Sequence, residues 1–67
     1  MVTDTKQLRL VRDRAREVFE DEKAASDWLE SPNRALGGDV PQNILESERG
    51  LESVLRALTA IEHGLPL

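Results

Sequence analysis

Residues 47 to 64 read SERGLESVLRALTAIEHG, and this stretch decides the fold. Leu51, Val54, Leu55, Leu58 and Ile61 recur at intervals of three and four, so one face of a 3.6-residue helix is apolar along its length. Ser47 can cap the start with its hydroxyl, Gly64 is the residue type that ends a helix in a left-handed conformation, and Pro66 prevents continuation. Glu52 precedes Arg56 by four residues, the favourable order for an ion pair on the polar face.

Working back from this helix, Pro32-Asn33-Arg34-Ala35-Leu36-Gly37-Gly38 must build a tight turn. Asp39-Val40-Pro41-Gln42 opens a short helix, either with Val40 at the cap and Pro41 at the first position or with Asp39 and Gln42 as a capping box. The restriction on a residue before proline favours the first arrangement. Ile44 and Leu45 then point inward. Asp21 caps another short helix with Ala24, Ala25, Trp28 and Leu29 on one side, and Pro32 stops it at Ser31. Leu8, Val11, Ala15, Val18 and Phe19 mark an amphipathic helix over about residues 5 to 20, capped by Asp4 or Thr5. Leu10 falls off that stripe and is either exposed or part of an intermolecular contact. No segment shows strand periodicity. The expectation is an all-α domain over residues 1 to 67, a small compact bundle of two long and two short helices around Trp28, with the last helix over about 48 to 63 and a tail at 64 to 67.

Size and composition narrow the function classes. A chain of 67 residues buries only ~60% of its unfolded surface, so its stability is marginal. With no cysteine and one histidine it forms no disulfide and no Cys/His zinc site, which leaves oligomerisation or a partner protein as the extra source of stability. Hydrophobic content of 39% with 33% charged residues belongs to a globular chain. No apolar run approaches the ~18 residues that span a bilayer, and a cytoplasmic location is the default. The net charge of −4 is uneven: residues 1 to 16 carry five Lys or Arg against two Asp, and residues 17 to 67 carry four against eleven acids. Lys6, Arg9, Arg12 and Arg16 could touch nucleic acid, but they intersperse with Asp13 and Glu17 as on a solvated helix face, and the acidic remainder repels phosphate.

Catalysis needs groups of tuned acidity converging in a pocket, and the inventory is short. There is no Cys and no Tyr, and the single histidine, His63, stands in the last turn of a helix, where it interacts with the orphan carbonyls. Gly37-Gly38 before a helix start suggests a phosphate cradle, yet no strand precedes it and no Lys follows in the P-loop manner, so it reads as a structural turn. The chain is expected to be no enzyme and to hold no cofactor or metal.

The set Phe19, Ala24, Trp28-Leu29, Pro32-Asn33, Ala35-Leu36-Gly37-Gly38, Pro41, Leu45, Gly50, Val54, Leu58 and His63-Gly64 resembles the C-terminal toxin-binding domain of Xre/MbcA/ParS-type antitoxins over residues 15 to 64. The resemblance implies a helical domain that neutralises a cognate RES-domain toxin in a bacterial type II toxin–antitoxin system. Such toxins deplete NAD, which is the toxin's substrate and no cofactor of this chain. The resemblance also implies that Ile61, His63, Gly64, Leu65, Pro66 and Leu67 reach toward the toxin, Trp28, Leu29, Pro32, Leu36, Gly37, Gly38, Pro41 and Gly50 being the structural motif. Taken without it, the Leu65 to Leu67 tail either docks on its own core or on a partner, and Leu36 either closes the core over Trp28 or makes a contact. Family members usually carry an upstream helix-turn-helix region, here expected to be absent or reduced to the basic helix. Two departures stand out: Glu20 replaces a usual Gly, so the first helix should end less sharply, and Val40 replaces a usual Ser or Thr, which removes a side-chain cap. Neither lies on the implied toxin surface. The alternatives are a DNA-associated regulatory module or a dimerisation module acting through the basic N-terminal helix, and a homo-oligomer is compatible with each.

Overall fold

The computed structural model describes residues 5–64. Three α-helices are joined by irregular segments: α1 (Thr5–Phe19), α2 (Glu22–Glu30) and α3 (Glu48–Glu62), with single 3-10 turns at Arg34–Leu36 and Pro41–Asn43 between the last two. The chain is all-helical among the described residues, but the short helix expected after Asp39 is only the 41–43 turn. Val40 supplies no side-chain cap, Pro41 sets the first helical φ, and Ile44 already leaves helical geometry at φ −117° and ψ 16°. One turn is all that those local signals support.

Helix ends follow side-chain chemistry. Asp21 Oδ2 accepts the Ala24 N–H at 3.2 Å, and Ser47 Oγ accepts the Gly50 N–H at 2.9 Å. Ser31, before Pro32, is extended at φ −109° and ψ 149°, which stops α2. At the end of α1 the expectation of a blurred stop is corrected. Glu20 takes φ +54°, a left-handed conformation, while its N–H donates to the Arg16 carbonyl at 2.8 Å, so the chain breaks away at once.

α1 packs against both α2 and α3, α2 lies on the 41–43 turn, and α3 lies on the 34–36 turn. The core between them consists of Val11, Ala15, Ala25, Leu29, Leu45, Val54 and Leu58, each at most 3% exposed. Pro41 is buried beside it, and no polar or charged side chain is buried among the described residues.

The bundle does not close around Trp28. That side chain is half-buried and meets Phe19, with ring centroids 6.1 Å apart and planes tilted by 47°, while Leu29 is 1% exposed at the centre. Ala25 and Leu29 are four residues apart and share the inward stripe of α2; Trp28 lies one step, about 100°, off it. The aromatic pair therefore seals the α1–α2 corner and aliphatic groups fill the middle. Leu29→Ala should cost about 3 kcal/mol, the usual range for a buried leucine. Trp28→Ala should cost less, because part of its surface is already in water. Urea unfolding of both variants checks the order, and a larger loss for Trp28→Ala would show that the aromatic corner is the true centre.

Candidate functional site

The segment from Asn33 to Ile44 is a compact hydrogen-bonded loop. Asn33 donates its N–H to the Asp39 carbonyl at 2.9 Å and accepts the Gly38 N–H at 2.8 Å, so the loop's two arms pair at their base. The Asn33 side-chain oxygen accepts the Ala35 N–H at 2.9 Å, which starts the 34–36 turn. Gly37 and Gly38 then take φ +71° and +90°, conformations that only glycine adopts without strain, and bring the chain back to Asp39. Both glycines are exposed, which fits their reading as a structural turn.

Besides the 34–36 turn, the loop meets α3 through the backbone of Ile44. Gly50 is buried, and a Cβ there would overlap the Ile44 carbonyl oxygen and lie 2.9 Å from its carbon. Between loop and helix runs an open groove of about 610 Å³. Ala35, Leu36, Asp39 and Ile44 line its loop side, and Ser53, Ala57 and Ala60 line its helix side with Arg49 and Arg56. Leu36 is half-buried, packing on the core while also lining this groove.

One charge pair links the end of α3 to α1. Arg14 of α1 binds Glu62 through both guanidinium ends and reaches Glu17 at 3.2 Å. The hydrogen bond from Arg14 holds the Glu62 carboxyl below its ordinary value, and the same bond raises the Arg14 guanidinium above its own. The remaining ion pairs among the described residues are Asp13–Arg16 at 3.7 Å and Lys23–Asp27 at 3.2 Å. Glu52 and Arg56 are not among them, contrary to the spacing argument, and Arg56 lines the groove.

The expected site residues separate into distinct places. Ile61, His63 and Gly64 stand together at the end of α3, Ile61 half-buried and the other two exposed, with Gly64 at φ +73°. Leu65, Pro66 and Leu67 lie outside the described residues. Of the structural motif, Leu29, Pro41 and Gly50 are buried, Trp28 and Leu36 are half-buried, and Pro32 is exposed. Lys6, Arg9, Arg12 and Arg16 are exposed on α1, as is Leu10 at 52%. Sequence reasoning missed the groove, whose one advance sign was Gly50 at a helix start. It also missed the Arg14–Glu62 tether, which joins residues 48 apart and leaves no local trace. Among the described residues, no three Asp, Glu or His side chains cluster to hold a metal ion, and no helix is long and apolar enough to cross a membrane.

Comparison with known proteins decides the family. The model of the antitoxin Xre/MbcA/ParS C-terminal toxin-binding domain matches residues 14–64, from the Arg14 tether to the Gly64 stop. The chain belongs to this family. A curated relative, Antitoxin Xre from Photorhabdus laumondii subsp. laumondii, is 36% identical over 56 residues, covering 82% of this chain. The chain spans 38% of that relative's length. No solved structure matches. Within the Xre/MbcA/ParS domain, then, the match runs through the whole loop–α3 unit and every core residue but Val11.

The tether gives a pH prediction. Glu62 has a lowered pKa in the folded domain, so its contribution to stability is present above the unfolded value and is lost as pH falls through the folded one. Thermal unfolding followed from neutral pH to below the ordinary glutamate value of 4.5 should show a falling midpoint, and Glu62→Gln should flatten that fall. An identical pH profile for the variant would place the acid sensitivity in other carboxylates.

Proposed function

We propose that this chain is the toxin-binding part of a type II antitoxin and that it neutralises a cognate RES-domain toxin in the bacterial cytoplasm. The observation that carries the reading is the family match, which extends over residues 14–64 to a domain described as toxin-binding. In this reading the chain does no chemistry: it acts by occupying the toxin's surface, and NAD belongs to the toxin as substrate. The contact falls at the end of α3, on Ile61, His63 and Gly64 and on Leu65, Pro66 and Leu67 after them. Support comes from the exposure of His63 and Gly64 and from the Arg14–Glu62 tether, which fixes this helix end against α1. A fixed platform loses little entropy on binding.

Operator binding through α1 has less support, because Arg14 and Arg16 are engaged by carboxylates and the charge of the remaining chain is negative. Self-association through the exposed Leu10 rests on a single apolar side chain.

The deciding experiment is co-expression with the RES-domain protein encoded beside the chain's gene, scored by cell growth and NAD content. The full chain should restore both. Removing Leu65 to Leu67 should weaken toxin inhibition by about tenfold or more, since each buried leucine is worth ~1.5 to 3 kcal/mol, while circular dichroism stays helical. Failure of the full chain to protect would overturn the antitoxin reading; undiminished protection by the truncated chain would move the contact elsewhere on the domain.

A further inference from the structure

We propose that the groove between the 33–44 loop and α3 is a second docking surface for the partner protein, and that it receives an apolar segment bearing two carboxylates. The inference rests on the antitoxin reading and adds to it a surface, away from the end of α3, and the chemistry that the surface selects.

Charge placement carries the argument. Residues 17 to 67 hold four cations among eleven acids. Lys23 is paired with Asp27 on α2. Of the other three, Arg34, Arg49 and Arg56, none forms an ion pair among the described residues, and Arg49 and Arg56 both line the groove. A body that is otherwise acidic thus puts two arginines outside any ion pair of the described residues where Leu36, Ile44 and Ala60 are partly exposed. Asp39 is the one acid on the lining.

Geometry narrows the occupant. Arg49 and Arg56 are seven residues apart on one helix, about 10 Å along its axis, a spacing that two carboxylates two turns apart on a partner helix would match. Such a pair leaves room for apolar groups between them to cover the aliphatic floor. The α3 side of the groove runs from Gly50 to Ala60, about 15 Å, long enough for three turns of a partner helix. A partner segment with carboxylates two turns apart and apolar residues between meets both requirements. Charges at the rim of such an interface steer encounter and reject wrong partners.

Isothermal titration of the full chain with a catalytically silent form of the neighbouring RES-domain toxin tests this. Arg49→Glu with Arg56→Glu places like charges against the partner and should weaken binding by about tenfold or more. Ala60→Trp, which fills the groove without changing charge, should weaken it as well. Lys6→Glu with Arg12→Glu, on the exposed side of α1, should change affinity by less than about threefold. Circular dichroism confirms that each variant is folded. If the wild-type chain binds and both groove variants bind within about threefold of it, the groove is not used and only this inference falls. If the wild-type chain does not bind, this inference and the antitoxin reading fall together. If sedimentation shows a wild-type dimer that the double arginine variant dissociates, the occupant is a second copy and the proposal is overturned.

Discussion

The backbone carbonyl of Ile44 lies where the side chain of residue 50 would otherwise be, and the domain depends on that close approach. The chain leaves the 41–43 turn, buries Leu45, and starts α3 at Ser47 within a few residues. Such a tight re-entry requires the first turn of α3 to press against the preceding backbone. Glycine at position 50 allows the contact, and its own N–H is held by the Ser47 hydroxyl. One short segment therefore caps the helix, orients it toward α1 and sets the distance between loop and helix that opens the groove.

Around this clamp the stabilising forces are few. Seven aliphatic side chains from α1, α2, α3 and the loop form a core without buried polar groups, and a half-buried aromatic pair closes one corner. A core of this size leaves little margin over chain entropy. Surface detail therefore matters more than in a large domain. The Arg14–Glu62 pair ties the first helix to the end of the last, and a partner covering the groove would add apolar burial that the chain cannot supply itself.

Features set by neighbouring residues were legible in the sequence. Asp21 and Ser47 announce helix starts, Pro32 stops α2, and Gly64 ends α3, because each acts within a turn of its own position. The inward stripes of α1 and α3 were legible for the same reason. What failed depended on how helices meet. Trp28 is the largest apolar side chain, yet Ala25 and Leu29 define the face that α2 presents to the core, and size alone does not reveal that choice. Glu52 and Arg56 have the right spacing to pair yet do not, because spacing alone does not fix the rotamers of two exposed side chains. The 41–43 segment looked like a helix because its cap and proline are helical signals, and nothing local shows that Ile44 must turn back at once. Of the candidate site, the end of α3 could be named from the family resemblance; the groove could not, since its two walls are separate in sequence.

The central claim, that close backbone approach at Gly50 organises α3 and the groove beside it, has a test in which opposing effects predict opposite signs. In an ordinary helix, glycine to alanine is stabilising by up to about 1 kcal/mol. At a site where the added methyl meets backbone, overpacking costs about 1 to 3 kcal/mol or more. Urea unfolding of Gly50→Ala should therefore show a clear loss of stability, of about 1 to 3 kcal/mol. A variant as stable as the wild type, or more so, would mean that Ile44 and α3 can separate without cost, and would contradict the account.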